Sequence, residues 1–240
     1  MNNGPNTPEN RLGPLLPWFV GVVAVSLLCD IAWGYSPDSF WVLLLTSMVL
    51  LYARSAFVYL AWSEKAEQTE IPRPRRFLAH SRTLFGHTLI VSIALGVPSY
   101  GLGLILTQLL NPLPFLLSQA AKDAVVLAVT GWFMASTAGK DFLTGIMGMG
   151  RVGKHGFGLI LLLGLCGEPF ALACLYLLLL WTPTGIPVMG LVLDIIRNCF
   201  LVYLLWKLVL IRARLDKREE APSSAQSVSS TAEADHDQVD

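Results

Sequence analysis

Apolar residues along this chain come in long runs, not in the alternation of a strand or the one-sided stripe of a soluble helix. Six runs, at 15–35, 39–62, 84–109, 119–138, 157–181 and 186–211, reach the roughly 20 residues that a helix needs to cross ~30 Å of hydrocarbon. Turn chemistry separates them in pairs. Ser36-Pro37-Asp38-Ser39 divides the first run from the second, with Ser39 or Asp38 placed to cap the second helix. Asn111-Pro112-Leu113-Pro114 divides the third from the fourth, and Thr182-Pro183-Thr184-Gly185 the fifth from the sixth. The pattern predicts an all-α fold: a polytopic transmembrane helical bundle of about six spans, made of three helical hairpins. No A-x-A cleavage site follows the first run, which is therefore expected to be a retained span.

Composition agrees with that pattern. Hydrophobic residues make up 54% and charged residues 14%, against roughly 25% charge in soluble domains, and the mean hydropathy is +0.57. The formal net charge of zero conceals an uneven distribution. Residues 14–215 hold 14 Lys and Arg against 9 Asp and Glu, a net +5, whereas the chain from Glu219 onward has six acids and no base. Three regions follow: a disordered N-terminal segment at 1–13, a membrane domain at 14–215 and a disordered acidic tail at 216–240. Fourteen Lys and Arg fall at one side of the six runs and only Lys122 at the other, with Arg54 and Arg197 inside runs. Basic residues stay on the cytoplasmic side, so both termini are expected there. The expected location is a bacterial inner membrane, crossed several times.

The two long connections carry their own pattern. Residues 71–85 set Phe77, Leu78, Leu84 and Phe85 among Arg73, Arg75, Arg76 and Arg82. That mixture suits an interfacial helix that lies on the bilayer before turning into the third span, its four arginines contacting anionic lipid headgroups. Residues 141–157 mix apolar positions with Arg151, Lys154 and His155, and their five glycines leave a regular helix uncertain. Gly148-Met149-Gly150-Arg151-Val152-Gly153 has phosphate-loop spacing, but no strand leads into it, as phosphate binding requires. A flexible or closely packed elbow is the structural reading.

Candidate chemistry is sparse. Cys29, Cys166, Cys174 and Cys199 all lie in apolar runs without metal-ligand spacing, and such thiols behave as small hydrophobes. The four histidines form no ligand pair, and no G-x-S-x-G is present. No catalytic residue, metal site or cofactor is expected. Charged residues inside the runs weigh more, because such groups are costly in hydrocarbon and pair or line a pathway. Glu168 lies 13 residues before Trp181, and Arg197 lies 11 residues after Ile186. At 1.5 Å per residue those depths are roughly 20 and 17 Å, both near the midplane. Asp194, three residues before Arg197, shares its helical face. Glu168, Asp194 and Arg197 therefore form the expected intramembrane polar cluster. Asp30 is placed toward the outer leaflet and Arg54 toward the inner one, where it could snorkel to the headgroups; the two need not meet.

The segments 75–88 and 138–163, basic amphipathic elbows ahead of spans three and five, give the chain a pattern that resembles bacterial membrane-domain families related to the glycerophosphodiester phosphodiesterase membrane domain. That resemblance implies a six-span membrane domain and no catalytic residue. The expected function is that of a non-enzymatic integral membrane protein: a transport, channel or membrane-assembly component. The alternatives are a lipid-modifying enzyme at the cytoplasmic face, or a scaffold recruiting partners through its elbows and tail. The expected partner is a bilayer with anionic headgroups; homo- or hetero-oligomers stay open, and nucleic acid is not expected.

Overall fold

The computed structural model describes residues 13–36, 39–66, 74–109, 112–167, 169, 170, 173 and 187–234, with backbone alone over 99–109, 112–119 and 219–234 and at a few other positions. Among the described residues the chain forms six α-helices and no strand. They are α1 (Leu16–Tyr35), entered through a single 3-10 turn at Gly13–Leu15, α2 (Phe40–Ala66), α3 (Pro74–Leu109), α4 (Pro112–Thr137), α5 (Phe142–Leu165) and α6 (Pro187–Ala234). Proline opens α3, α4 and α6, at the first helical position, where a missing N–H costs nothing. Ser39 caps α2 by accepting from the Val42 N–H at 3.4 Å, and Asp141 caps α5 by accepting from the Thr144 N–H at 3.3 Å. Among the described residues two helical segments, Gly13–Ala32 and Phe40–Glu64, are long and apolar enough to cross a membrane.

Consecutive helices pack side by side, and α6 returns to touch α1, α2, α4 and α5. Its sequence Leu201–Leu210 is apolar nearly all round, the signature of a helix surrounded by others. Leu204, Leu205, Leu208 and Val209 are at most 1% exposed. Five consecutive residues of α2, Phe57 to Ala61, are buried too, so that stretch is covered on every side. Aromatic contacts join α1, α2 and α3 at the same end: Trp18 with Phe77, Phe19 with Phe57, and Tyr52 with Phe85, at centroid distances of 5.6, 6.2 and 5.6 Å. The opposite end turns Leu28, Tyr35, Trp41, Leu45 and Val49 outward.

Three expectations change here. The basic segment 71–85 is not a separate elbow from Pro74 onward. It is the first part of α3, a 36-residue helix of about 54 Å, because nothing between Arg75 and Val97 interrupts a helix. The glycine-rich segment 141–157 is likewise regular helix, the N-terminal part of α5. Four glycines of α5 face neighbouring helices: Cβ atoms at Gly145, Gly153, Gly156 and Gly164 would press on Thr137, Trp132, Leu208 and Ala124 respectively. Close packing thus offsets the entropy that glycine loses in a helix. Finally, α6 continues as helix to Ala234, over residues expected to be disordered from 216.

Candidate functional site

On α6, Asp194, Arg197 and Asn198 fall within one turn and share a face. Opposite them on α1 stands Asp30. Arg197 Nη2 donates to Asp30 Oδ2 at 2.8 Å and lies 3.5 Å from Asp194 Oδ1. Asn198, itself buried, donates from Nδ2 to the same Asp30 oxygen and to the Asp194 carbonyl, both at 3.0 Å. One carboxylate of α1 is therefore held by two donors of α6. The group is not sealed: the side chains of Arg197, Asp30 and Asp194 are 20%, 28% and 44% exposed.

Asp194 and Arg197 are brought together as their spacing implies, whereas Glu168 lies outside the described residues. The partner from a second helix is Asp30, which the sequence had set apart. Asp30 is six residues from Ser36, a depth of about 9 Å against roughly 17 Å for Arg197. The extended Arg197 side chain spans the difference. Asn198 was missed as well; a polar amide beside an arginine in an apolar helix was the available signal. Arg54 is partly exposed. Its Nε is buried with no hydrogen-bond partner.

Of the four arginines expected at headgroups, Arg75 and Arg82 are exposed on the first turns of α3. Arg73 and the side chain of Arg76 lie outside the described residues. The apolar face between them is mostly turned inward: Leu84 and Ser81 are buried, and Phe77 packs on Trp18 and Tyr59. Only Leu78 of that set is exposed.

A second polar group ties the α4–α5 turn to α6. Arg212, 3% exposed, donates from Nη1 to the Ser136 carbonyl and from Nε to Asp216 Oδ2 at 2.7 Å. Lys140 Nζ lies 3.2 Å from the other oxygen of Asp216. A cation at the carbonyl end of α4 satisfies a terminal acceptor and opposes the helix dipole. Next to it, Thr144 holds the Asp141 carboxyl below the usual carboxylate range, through its hydroxyl first and its backbone N–H second, with His87 adding to the effect. At Gly139 the backbone takes φ +72°, and the Trp62 ring covers the place of a Cβ.

The thiols of Cys29, Cys166 and Cys199 are free, the first two buried, and Cys174 lies outside the described residues. Among the described residues no group of three or more His, Cys, Asp or Glu side chains is arranged to hold a metal. Set against known proteins, the chain matches no protein-family model, no curated protein and no solved structure.

Proposed function

We propose that this chain is a six-span integral membrane protein, with both termini cytoplasmic and a bacterial inner membrane as its site, that acts as a transport or channel component. Its working site is the group formed by Asp30, Asp194 and Arg197. The observation that carries this reading is the exposure of that group. Charged side chains inside apolar helices are tolerated where they pair or border water, and Asp194 pairs only at 3.5 Å while 44% of its side chain stays open. The apolar faces of α1 and α2 and the excess of basic residues at one end support the membrane assignment. So does Lys207, which lies 4.8 and 5.3 Å from the ring centroids of Trp206 and Tyr203, as a cation at a membrane interface does. Arg75 and Arg82, with Arg73 and Arg76, supply contacts to anionic headgroups.

The alternative within this class is an assembly component, in which a partner helix covers Asp194. Cysteine labelling separates the two. In a background with all four native cysteines replaced by alanine, single cysteines are placed at Asp194, at Ile196 on the exposed apolar face, and in both termini. A membrane-impermeant thiol reagent should label Asp194→Cys and leave Ile196→Cys untouched, and should reach the termini only after cells are opened. Failure to label Asp194→Cys from either side would remove the transport reading. Labelling of a terminus in intact cells would overturn the orientation.

A further inference from the structure

The second polar group, about 22 Å along α6 from Arg197, is only partly satisfied. Arg212 is 3% exposed. Two of its guanidinium nitrogens are engaged, Nε by Asp216 and Nη1 by the Ser136 carbonyl. Its Nη2 is buried and meets no acceptor among the described residues, and the hydroxyl of the same Ser136 is buried without a partner too. Ser26, Ser63, Thr88 and Thr137, also buried, each return the hydroxyl proton to a carbonyl one turn back in their own helix; Ser136 does not. Leaving such groups unmet away from water is costly. The two residues already touch, so one acceptor-rich group can reach both. Space for it lies beside α5. A Cβ at Gly148 would find no neighbour from another element nearer than 3.9 Å, and the atoms at that distance are Arg212 Nη1 and the Ser136 carbonyl oxygen. Gly148 is itself partly exposed. Charge points the same way. Arg212 Nε and Lys140 Nζ share one carboxylate, at 2.7 and 3.2 Å from the two oxygens of Asp216, so one positive charge is in surplus at contact range. Asp141, the neighbouring acid, is exposed and caps α5 through the Thr144 N–H. A water would meet the two donors and leave the surplus charge. An oxyanion answers both.

We propose that Arg212, Ser136 and Gly148 form a binding site for a phosphate-type oxyanion, either free or at the headgroup of a lipid, with Lys140 adding its charge at the rim. The oxygens of the anion accept from Arg212 Nη2 and from the Ser136 hydroxyl, and the missing side chain at Gly148 lets the group come close to α5. Gly148 opens the string whose phosphate-loop spacing lacks a leading strand; here the anion rests on side chains of α4 and α6 instead of loop amides. The site is separate from the Asp30, Asp194 and Arg197 group and does not depend on the transport reading.

The test uses the full chain in dodecyl maltoside at constant ionic strength. Sodium phosphate is titrated against sodium chloride, and dioctanoyl phosphatidylglycerol against dioctanoylglycerol, which lacks the phosphate. The thermal midpoint of the wild type should rise and saturate with at least one of the two phosphates and with neither control. A response to inorganic phosphate identifies the free anion as sufficient; a response to the lipid alone identifies a headgroup. Ser136→Ala removes one hydrogen bond to a charged group and should weaken binding roughly 10- to 100-fold. Gly148→Ala sets a methyl group in the opening without overlap; it should weaken binding as well, while the midpoint without ligand holds or rises. Both variants spare the bonds that Arg212 makes to Asp216 and to the Ser136 carbonyl, so the fold is kept. Lys217→Gln, exposed further along α6, should bind as wild type does. No shift with either phosphate, the result if water alone fills the space, would overturn the proposal, and so would full-strength binding by either Ser136→Ala or Gly148→Ala.

Discussion

Arg197 is the residue on which the polar group turns. Its replacement by leucine leaves Asp30 and Asp194 facing one another without their shared cation. Charge-assisted hydrogen bonds contribute about 1.5–3 kcal/mol each, and values between apolar helices fall toward 1 kcal/mol because the unfolded reference also finds partners. Arg197→Leu should therefore lower the thermal midpoint in detergent. Asp30→Asn/Arg197→Leu should recover most of the loss, since the amide keeps an oxygen for Asn198 and carries no charge. A double variant no more stable than Arg197→Leu would refute this account of the pair. How much of the group was legible follows from the kind of information each residue carries. The i, i+3 spacing of Asp194 and Arg197 places both on one face whatever the packing. Depth along a run gives one coordinate only, without tilt or side-chain reach, so it separated Asp30 from Arg197. Arg54 was read as able to reach water; α2 is flanked by α1, α3 and α6, and the Nε of Arg54 is buried while the residue as a whole is partly exposed.

Among the elements, α5 shows most clearly what propensity alone misses. Each interior glycine costs about 0.5–1 kcal/mol relative to alanine, and five of them between 141 and 157 argue against a helix until their faces are known. Gly145, Gly153, Gly156 and Gly164 repeat at spacings of 8, 3 and 8 and let α4 and α6 approach. Gly150 and Gly158 point into open space. Gly150→Ala should accordingly raise stability by about 0.5–1 kcal/mol. Gly164→Ala should lower it, because its Cβ would come 2.7 Å from the Ala124 carbonyl oxygen. Gly139→Ala should also lose stability, by about 1–2 kcal/mol for the left-handed backbone and more for the overlap with Trp62. Thermal unfolding of the three variants checks this, and a stabilising Gly164→Ala would show that α4 and α5 are not in contact there. The long helices α3 and α6 were legible as apolar runs, but not their polar extensions. A run ends for hydropathy where the first charges appear, whereas a helix ends only where its backbone is broken.

At the scale of the molecule, the best-packed region among the described residues joins Phe57 and Tyr59 of α2 to the Leu201–Leu210 stretch of α6. That arrangement predicts where the chain can be cut. Leu208, Val209, Arg212 and Ala213 are buried, while Lys217 and Arg218 are exposed. Truncation after Arg218 should leave a monodisperse protein in size-exclusion chromatography, and truncation after Lys207 should not. A well-behaved shorter fragment would mean that α6 is not the central helix. The Asp30–Arg197 pair joins residues 167 positions apart in the chain, and that distance is also an interval of time. A ribosome adding about 5–20 residues per second needs roughly ten to thirty seconds between the two residues. Throughout that interval the first helix carries a carboxylate whose counter-charge has not yet been made. Until α6 arrives the nascent protein must keep that acid neutral or wet, and a chain that stops early never resolves it.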